Sequence, residues 1–416
     1  MPWSYTDQPE PFHQRASRGV MAFLRRGGPA WLVVFASLAL CLLSVYAIDV
    51  AERAPTIAQV AASTVKQPSI GPTAFRQLVY VIAGIIACGI ICVPNYRSIG
   101  IWTWPLFAVC LFLLVFLLIP FIPSSIVRPR GGARAWIDFG PINLQPAELA
   151  KVATVLALAW YLRYRKNHRT LKGLLPPAII TGVPMGLIIL QPDLGTAILF
   201  IPALFFVLIA AGAKMKHLVL VVALAMLGAP LAYPILKPHQ KARIVGLYQQ
   251  LKGDSSEDLD INMQSVTAQR LIGAGRFFGV GDEHARALQR FNALPERHND
   301  MVFSPIITRF GLFGGIVVFA LFAVWIAGAL LTSATSPEPF ARLICVGATG
   351  FLFAQIVVNI GMNLGLLPII GITLPFLSHG GSSMIAQWVM VGLILNAGMR
   401  REGYETRRSF EWNDED

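Results

Sequence analysis

The most prominent feature of the sequence is an alternation of long apolar blocks with shorter polar segments. About ten blocks of 18–22 apolar residues occur in the 416-residue chain, and a helix needs ~20 such residues to cross a bilayer. This pattern predicts an all-α polytopic membrane protein with about ten transmembrane helices. The predicted spans are 30–49, 77–94, 101–122, 145–163, 173–190, 194–212, 216–236, 311–332, 343–363 and 382–399.

Composition excludes several other classes of protein. Charged residues make up 13% of the chain, about half of the share in soluble domains. All five cysteines lie in apolar blocks, so we expect no disulfides and no secreted disulfide scaffold. The net charge of +12 comes from basic residues beside the spans, where such residues set topology. We therefore expect membrane lipid, and no nucleic acid, among the partners.

Basic residues also predict the orientation of the chain. They crowd the two tails and the loops after the fourth and sixth spans, namely Arg15, Arg18, Arg25, Arg26, Arg163, Arg165, Lys166, Arg169, Lys172, Lys214, Lys216, Arg400, Arg401, Arg407 and Arg408. The positive-inside rule places all of these segments in the cytoplasm. The expected organisation is N-in and C-in, with cytoplasmic tails at 1–29 and 400–416 around a membrane domain at 30–399.

Two loops that face the outside under this topology are unusual. The third loop carries Arg128, Arg130 and Arg134 against the charge rule. These residues are either tolerated there or meet an anionic ligand such as a phosphate.

The seventh loop, 237–302, is the largest polar insertion and holds eight of the 22 acidic residues. Long loops in compact chains are usually functional or disordered. Six apolar residues predict that this one is packed and carries any chemistry: Leu271, Ile272, Phe277, Phe278, Phe291 and Leu294.

Three ionisable residues fall within or between apolar blocks. Glu148 and Lys151 are three residues apart, which puts them on one helix face. Because charges at bilayer depth are costly, they pair or line a wet cavity. Asp193 sits between two spans, where it could cap the sixth helix. A structural ion pair with a helix cap, and one polar cavity opening outward, both fit these residues.

Several familiar motifs are missing or misleading. The glycines at 273, 275, 279 and 281 match neither nucleotide-binding fingerprint, so we expect tight packing or turns there. No metal-binding motif and no serine-hydrolase elbow occurs. The stretch 366–383 is broken by Pro and Gly but has no charge, which predicts a re-entrant segment buried in protein or lining a cavity.

Five motifs in order resemble the SEDS family of membrane glycosyltransferases, which includes RodA and FtsW. They are Gly-Ala-Arg at 132–134 with Gln-Pro-Ala-Glu-Leu-Ala-Lys at 145–151, Gln-Pro-Asp-Leu-Gly-Thr-Ala at 191–197, Gln-Ser at 264–265, Pro-Glu-Arg-His-Asn-Asp at 295–300, and Leu-Pro-Phe with Ser-His-Gly-Gly-Ser between 374 and 382. The Pro-Glu-Arg-His sequence favours the RodA branch.

The resemblance implies polymerisation of lipid II, the undecaprenyl-diphosphate-linked disaccharide-pentapeptide, into β-1,4-linked glycan on the outer face of the bacterial cytoplasmic membrane. It also implies a class B penicillin-binding protein as the transpeptidase partner, in elongation, cell shape or division. The catalytic aspartate maps onto Asp300. Matching motifs and candidate cations give the expected substrate-binding set: Arg134, Glu148, Lys151, Asp193, Arg243, Gln264, Ser265, Arg297, His298 and Ser378.

The sequence departs from the family at three places. Thr308 and Arg309 stand where the family often has acids, Ala135 directly precedes Trp136, and His379 follows Ser378 where tyrosine is common. The first departure places any role of those acids in doubt.

The implied chemistry fits a single carboxylate. A β-linkage formed from an α-linked donor is an inversion, and a diphosphate leaves as a stable anion without a general acid. Asp300 as general base and cations on the diphosphate then suffice. A divalent cation could assist, although no cofactor or metal site is required by the sequence.

Other functions stay open at this point. Asp300 could instead cap the eighth span. A lipid-precursor flippase would use the three intramembrane charges as its path, and a non-catalytic scaffold of a cell-wall complex would not need Asp300.

Overall fold

The computed structural model describes residues 27–52, 70–123, 125–129, 133–140, 143–232, 234, 238–252, 262–292, 294 and 296–400. Residues 1–26 and 401–416 of the two predicted tails, and Arg130, lie outside these ranges. The helices within them are α1 (Ala30–Glu52), α2 (Pro72–Cys92), α3 (Tyr96–Ile101), α4 (Thr103–Leu118), α5 (Pro146–Leu162), α6 (Leu175–Leu190), α7 (Leu194–Ile198), α8 (Phe200–Ala210), α9 (Met215–Ala232), α10 (Pro238–Lys252), α11 (Met263–Ala274), α12 (Asp282–Asn292), α13 (Phe303–Thr335), α14 (Pro339–Asn363) and α15 (Gly381–Met399). A short antiparallel pair, β1 (Ile137–Asp138) and β2 (Asn143–Leu144), lies in the third loop.

Every predicted span coincides with helix, and the predicted all-α polytopic fold is confirmed. Six helical segments are long and apolar enough to cross a membrane, among them Lys172–Leu190, which contains α6. Shorter apolar helices fill three further predicted spans: α4, the combined α7 and α8, and α9. The fourth span is α5, whose 17 residues include Glu148 and Lys151.

Burial separates central helices from peripheral ones. The most apolar window of α14 is 83% buried and that of α15 is 78% buried, whereas that of α2 is 22% buried. The apolar residues of α9 between 219 and 227 are exposed. Apolar side chains of a spanning helix that do not face protein face lipid, so α14 and α15 form the centre and α2 and α9 belong to the lipid-facing surface.

The seventh loop is packed, as predicted, and holds α10, α11 and α12. Leu271 and Leu294 lie in a small core with Ala268 and Met301. The prediction was wrong for three aromatic residues: Phe277 is 71% exposed, Phe278 is 85% exposed and Phe291 is 90% exposed. For Phe277 and Phe278 the reason lies in the backbone: the carbonyls of Arg276 and Phe277 accept bonds from α13, and both side chains point outward.

The glycine cluster packs against a kink in α13, which confirms the packing interpretation of that motif. Gly311 has φ 69° and ψ −164° and interrupts the helix. The N–H of Leu312 donates to the carbonyl of Arg276 at 2.8 Å, and the N–H of Val280 donates to the carbonyl of Thr308 at 3.0 Å. These bonds need close approach of two backbones, which residues without Cβ permit.

We expect Gly279→Ala to destabilise the protein. Gly279 has φ +77°, and a Cβ there would overlap the carbonyl of Arg309. Strained backbone of this kind costs about 1–3 kcal/mol, and the overlap adds to it. The melting temperature in detergent should fall.

Gly273→Ala is the matched control. A Cβ at Gly273 meets no atom within 4 Å, and Gly→Ala in a helix stabilises by about 0.5–1 kcal/mol. Equal melting temperatures for the two variants would contradict the proposed packing of the cluster.

Candidate active site

The candidate residues lie at one end of the bundle because successive spans reverse direction. Glu148 is at the start of α5, Asp193 directly precedes α7, and Asp300 precedes α13. Each of these three helices enters the bundle from the outer side of the predicted topology. Ser378 precedes α15, which enters from the same side.

Buried amides of α14 hold the backbone of Asp300. Asn359 Nδ2 donates to the Asp300 carbonyl at 2.7 Å and to the Ile372 carbonyl at 2.6 Å. Asn363 Nδ2 donates to the same Asp300 carbonyl at 3.1 Å. Both amide side chains are fully buried. Asp300 is therefore fixed to the central helix and to the 366–380 stretch through its main chain, which leaves its carboxylate available.

Ser378 connects the 366–380 stretch to the residue before Asp300. Its hydroxyl donates to the Asn299 carbonyl at 2.5 Å and accepts the N–H of Leu374 at 2.7 Å. The N–H of His379 donates to the His298 carbonyl at 2.7 Å. Two adjacent residues of one segment thus hold two adjacent residues of the other.

Polar side chains of the first two spans bond to the 366–380 stretch. Ser44 of α1 donates to the Leu377 carbonyl at 2.6 Å, and Gln77 of α2 donates to the Ser378 carbonyl at 3.1 Å. Gln77 also donates to Ser44 at 3.0 Å. The predicted buried, irregular stretch is confirmed, and these bonds satisfy its backbone inside the bundle.

Burial raises the pKa of Asp300 from its ordinary value of 3.8 to about 6. The carboxylate loses hydration there, which disfavours its charged form. Glu296 raises the pKa further, while a backbone hydrogen bond and Arg243 lower it. The sequence left open whether burial or neighbouring cations would dominate, and burial does. The alternative role as a helix cap is wrong, since Val302 occupies that position of α13.

His298 and Arg297 form one side of a groove next to Asp300. The groove has a volume of about 430 Å³ and is lined by Leu294, Glu296, Arg297, His298 and Asn299. Burial, and then Arg297, lowers the pKa of His298 to about 4, so its imidazole is neutral at physiological pH. Arg297 is partly buried, and its guanidinium supplies the positive charge of this groove.

A second, narrower groove brings loop residues against the 366–380 stretch. Arg243 of α10 and Ser265 of α11 line it together with Leu367, Pro368 and Ile369. Gln264 is the neighbouring residue on α11. Arg243 lowers the pKa of the Asp300 carboxyl, so the second groove carries a positive charge within electrostatic reach of Asp300.

Glu148 and Lys151 form a buried ion pair. Lys151 Nζ lies 2.8 Å from Glu148 Oε1, and the side chains are 2% and 5% exposed. Glu148 Oε2 is buried and bonds to none of the residues that the structure describes. One carboxylate oxygen is therefore paired and the other is left over.

Asp193 caps α7 and also faces the start of α5. Its carboxylate accepts the N–H of Thr196 at 3.0 Å and the side-chain amide of Gln145 at 3.3 Å. The cap interpretation of Asp193 is confirmed, and the contact with Gln145 links it to the helix of the ion pair.

The 370–372 stretch joins these groups to Asp300. A Cβ on Gly195 would overlap the Ile370 carbonyl, and a Cβ on Gly371 would lie 3.6 Å from Asp300 Oδ2. Further along, Ser382 donates to the Asn143 carbonyl at 2.6 Å. The segment between α14 and α15 is thus flanked by Asp300 on one side and by the approaches to α5 and α7 on the other.

Third-loop cations have partners of their own. Arg134 donates to the carbonyls of Pro120 and Ile122 at 3.4 and 3.3 Å. Arg128 is exposed and lies 3.7 Å from the Asp138 carboxylate. Part of the Arg134 guanidinium is therefore used to stabilise the third loop.

Sequence reasoning missed the amides that hold the site. Asn359, Asn363 and Gln77 lie within apolar blocks and carry no charge, so a search for ionisable residues passes over them. A search for any hydrogen-bonding side chain in a predicted span would have found all three. Among the residues described, no group of three His, Cys, Asp or Glu side chains could hold a metal ion.

Comparison with known proteins shows which family the chain is related to over most of its length. The model of the FTSW_RODA_SPOVE family, described as cell cycle protein, matches residues 31–403. The stage V sporulation protein E of Bacillus subtilis strain 168 is 31% identical over 323 residues, which cover 77% of this chain and 85% of that protein. A protein of Coxiella burnetii named probable peptidoglycan glycosyltransferase FtsW is 31% identical over 338 residues, covering 80% of this chain and 86% of its own length.

Solved structures agree with this relationship. A chain from a structure described as the structural coordination of polymerization and crosslinking by a peptidoglycan synthase complex has a TM-score of 0.72 at 31% identity, covering 89% of this chain and 98% of its own. The rod shape determining protein RodA of Thermus thermophilus has a TM-score of 0.62 at 28% identity, covering 89% and 97%. Since these relatives include both FtsW and RodA, assignment to the RodA branch stays a prediction. The chain is a multi-pass protein of the bacterial inner membrane and belongs to the FtsW/RodA/SpoVE family, the SEDS proteins.

Proposed function

We propose that this protein is a peptidoglycan glycosyltransferase that polymerises lipid II, with Asp300 as the general base. The single observation that carries the proposal is the state of Asp300: a partly buried carboxyl whose pKa is raised to about 6 and whose main chain is fixed by Asn359 and Asn363. Relatives named probable peptidoglycan glycosyltransferase FtsW support the reaction class. The membrane domain at 30–399 would hold the whole site.

The raised pKa makes Asp300 a better base than an ordinary aspartate. A general base works best when its pKa lies near the operating pH, because it is then both ionised and basic enough to take a proton. In the proposed step the Asp300 carboxylate accepts the proton of the attacking sugar hydroxyl. The new glycosidic bond forms as the bond from the donor sugar to the diphosphate breaks, with inversion at the sugar carbon. The diphosphate leaves as an anion and needs no proton from the protein.

Cations around Asp300 are placed to stabilise the leaving diphosphate. Arg297 and Arg243 line the two grooves beside Asp300, and we assign them to this role. Positive groups fixed in a partly desolvated site stabilise developing negative charge better than water does. Arg134 contributes less, because it donates to two backbone carbonyls of its own loop. A divalent cation that assists the reaction would be held in part by the diphosphate oxygens.

The remaining candidate residues position substrate or the site itself. Glu148 Oε2, which bonds to no described residue, would accept a hydrogen bond from the donor. Gln264, Ser265 and His298 would bind sugar or peptide polar groups along the grooves. Asp193 and Ser378 would act by holding α7 and the Asn299 carbonyl in place.

We further propose a class B penicillin-binding protein as partner. A structural relative belongs to a synthase complex whose description names both polymerization and crosslinking. Nascent glycan needs a transpeptidase to become crosslinked, and such a complex brings the two activities together.

The arrangement of charges weighs against a flippase. Glu148, Asp193 and Asp300 all lie at the starts of helices that enter from one side. A translocation path needs polar groups that continue towards the opposite side.

Asp300→Asn should abolish lipid II polymerisation while the protein stays folded. The amide has nearly the shape of the carboxylate but cannot accept the proton of the sugar hydroxyl. The measurement is formation of glycan product by purified protein in detergent or vesicles, with the transpeptidase partner present. A loss of at least about 100-fold is expected for removal of a general base.

Glu283→Gln is the matched control, since Glu283 is an exposed carboxylate on α12 of the same loop. That variant should polymerise as the wild type does. Polymerisation by Asp300→Asn would refute the assignment of Asp300 as the base, whereas absence of polymerisation by the wild type would favour the scaffold interpretation.

The polymerisation rate should fall as the pH drops through about 6. Only the ionised carboxylate is a base, so below the raised pKa of Asp300 the rate should fall about tenfold per pH unit. A profile of the rate at subsaturating substrate between about pH 4.5 and 8, which reports ionisation of the free enzyme, checks this. A profile that stays flat down to pH about 4 would contradict it.

The same shift has a consequence for stability. Because the folded-state pKa lies above the ordinary value of 3.8, the folded state binds a proton more tightly than the unfolded state does. Ionisation of the carboxylate therefore opposes folding: the penalty grows as the pH rises from 3.8 to about 6, is complete above about 6 and is absent below 3.8. Asp300→Asn should not lower the melting temperature at neutral pH, which separates loss of chemistry from loss of fold.

Lys151→Met should be strongly destabilising, and a second substitution should relieve it. Removing one partner of a buried ion pair leaves an uncompensated charge, which costs about 3–5 kcal/mol. Glu148→Gln combined with Lys151→Met removes both charges and should recover most of the melting temperature. If the double variant is stable but inactive, the pair serves the reaction as well as the fold; recovered activity would show that its role is structural only.

A further inference from the structure

An apolar surface on the seventh loop continues the lipid-facing surface of α13. Phe277 and Phe278 are 71% and 85% exposed, and neighbouring Leu312 and Phe313 are 49% and 61% exposed. We call these four side chains the aromatic rim. Exposed apolar patches on a folded protein mark contact with another apolar phase or partner.

Hydrogen bonds fix the rim at the outer end of a span. The N–H of Phe313 donates to the carbonyl of Phe277 at 3.1 Å, and the N–H of Leu312 donates to the carbonyl of Arg276 at 2.8 Å. Phe313 begins the exposed apolar face of α13 that continues through Ile316 and Phe319, which are 56% and 48% exposed. The loop phenylalanines therefore lie level with the first turn of the part of α13 that follows the kink.

The backbone of this loop segment is suited to contact with lipid. Backbone groups at the edge of hydrocarbon must be bonded within the protein. The carbonyls of Arg276 and Phe277 accept bonds from α13, the N–H of Gly279 donates to Gly275 at 2.8 Å, and the N–H of Val280 donates to Thr308 at 3.0 Å. The segment that exposes the two phenylalanines thus has four main-chain groups around them bonded within the protein.

We propose that the aromatic rim inserts Phe277 and Phe278 into the outer leaflet and anchors the seventh loop to the bilayer surface. Apolar side chains at the boundary between headgroups and acyl chains gain burial without crossing the membrane. Arg276, which is exposed, lies beside Phe277, and its guanidinium would meet lipid phosphates at that level. The anchor would hold α11, and with it Ser265, at a fixed height above the membrane. This proposal does not depend on the reaction that the protein catalyses.

The test measures the depth of a probe on the rim. Phe278→Cys in the full chain is labelled with an environment-sensitive NBD fluorophore and reconstituted into vesicles of phosphatidylethanolamine and phosphatidylglycerol. Quenching is compared for lipids with nitroxides near the headgroup, for lipids with nitroxides deep in the acyl chain, and for aqueous iodide. The chain without an introduced cysteine is the labelling blank, because its own cysteines lie within the spans.

Two further positions calibrate the result. Phe313→Cys reports a lipid-facing residue of α13, and Arg270→Cys reports an exposed residue of α11. Arg270 is displaced around that helix from Ala268 and Leu271, whose carbonyls bond to α13. The label at 278 should show blue-shifted emission and be quenched by shallow nitroxide lipids as strongly as the label at 313. The label at 270 should be quenched by iodide.

Other outcomes would overturn the proposal. Quenching of the label at 278 by iodide would place the rim in water. Protection from both lipid and iodide would show that protein covers it, either a second copy or a partner chain. If Phe278→Cys does not fold, as judged by size-exclusion chromatography, Phe277→Cys takes its place with the same expectations.

Discussion

Hydrogen bonding of irregular backbone inside a membrane bundle is the constraint on which the rest of this structure depends. The stretch between α14 and α15 has no regular secondary structure, yet residue 372 and residues 374–378 are buried. Each of its free main-chain groups would be costly in a region without water. Side chains from Ser44, Gln77 and Asn359 bond to its carbonyls, and the segment that carries Asp300 is held by the same network. The polar residues of the spans thus fix the geometry of a site to which they contribute no charge.

This arrangement also explains how a single carboxylate becomes unusual. The amides bind the carbonyl of Asp300 and not its carboxylate, so they position the residue without stabilising its charge. Burial then acts on the side chain with little opposition, and the neutral imidazole of His298 adds no positive charge next to it. Cationic groups stand along the grooves, where a phosphate-bearing ligand would meet them. Arg297 donates to the His298 ring and to the Gln289 carbonyl, so its guanidinium is directed to these groups and does not offset the effect of burial on Asp300.

The sequence predicted the features that depend on local composition. Long apolar runs identified every span, because burial in lipid demands a minimum number of apolar residues in succession. The spacing of Glu148 and Lys151 predicted their shared face, and the ion pair follows from it. Features that depend on contacts between distant segments could not be predicted from the sequence. The bond between Asn359 and Asp300 joins residues 59 positions apart, and no periodicity encodes such a pairing. The outward orientation of Phe277 and Phe278 was misjudged, because their apolar character is compatible with a protein core and with a membrane alike.

A contact between three residues accommodates one departure from the family, the arginine at position 309. Arg309 forms an ion pair with Asp282 of α12, and the hydroxyl of Tyr46 in α1 donates to the same carboxylate at 3.1 Å. The family resemblance implies acids near the position of Arg309, and an acid there would face Asp282 with like charge. A substitution that reverses the charge at Arg309 therefore requires a compensating substitution at Asp282. Grafting the seventh loop of a homologue onto this bundle would require Asp282 to be retained, or Arg309 to be replaced along with the loop, and evolutionary covariation between these two positions is the expected mark of that dependence.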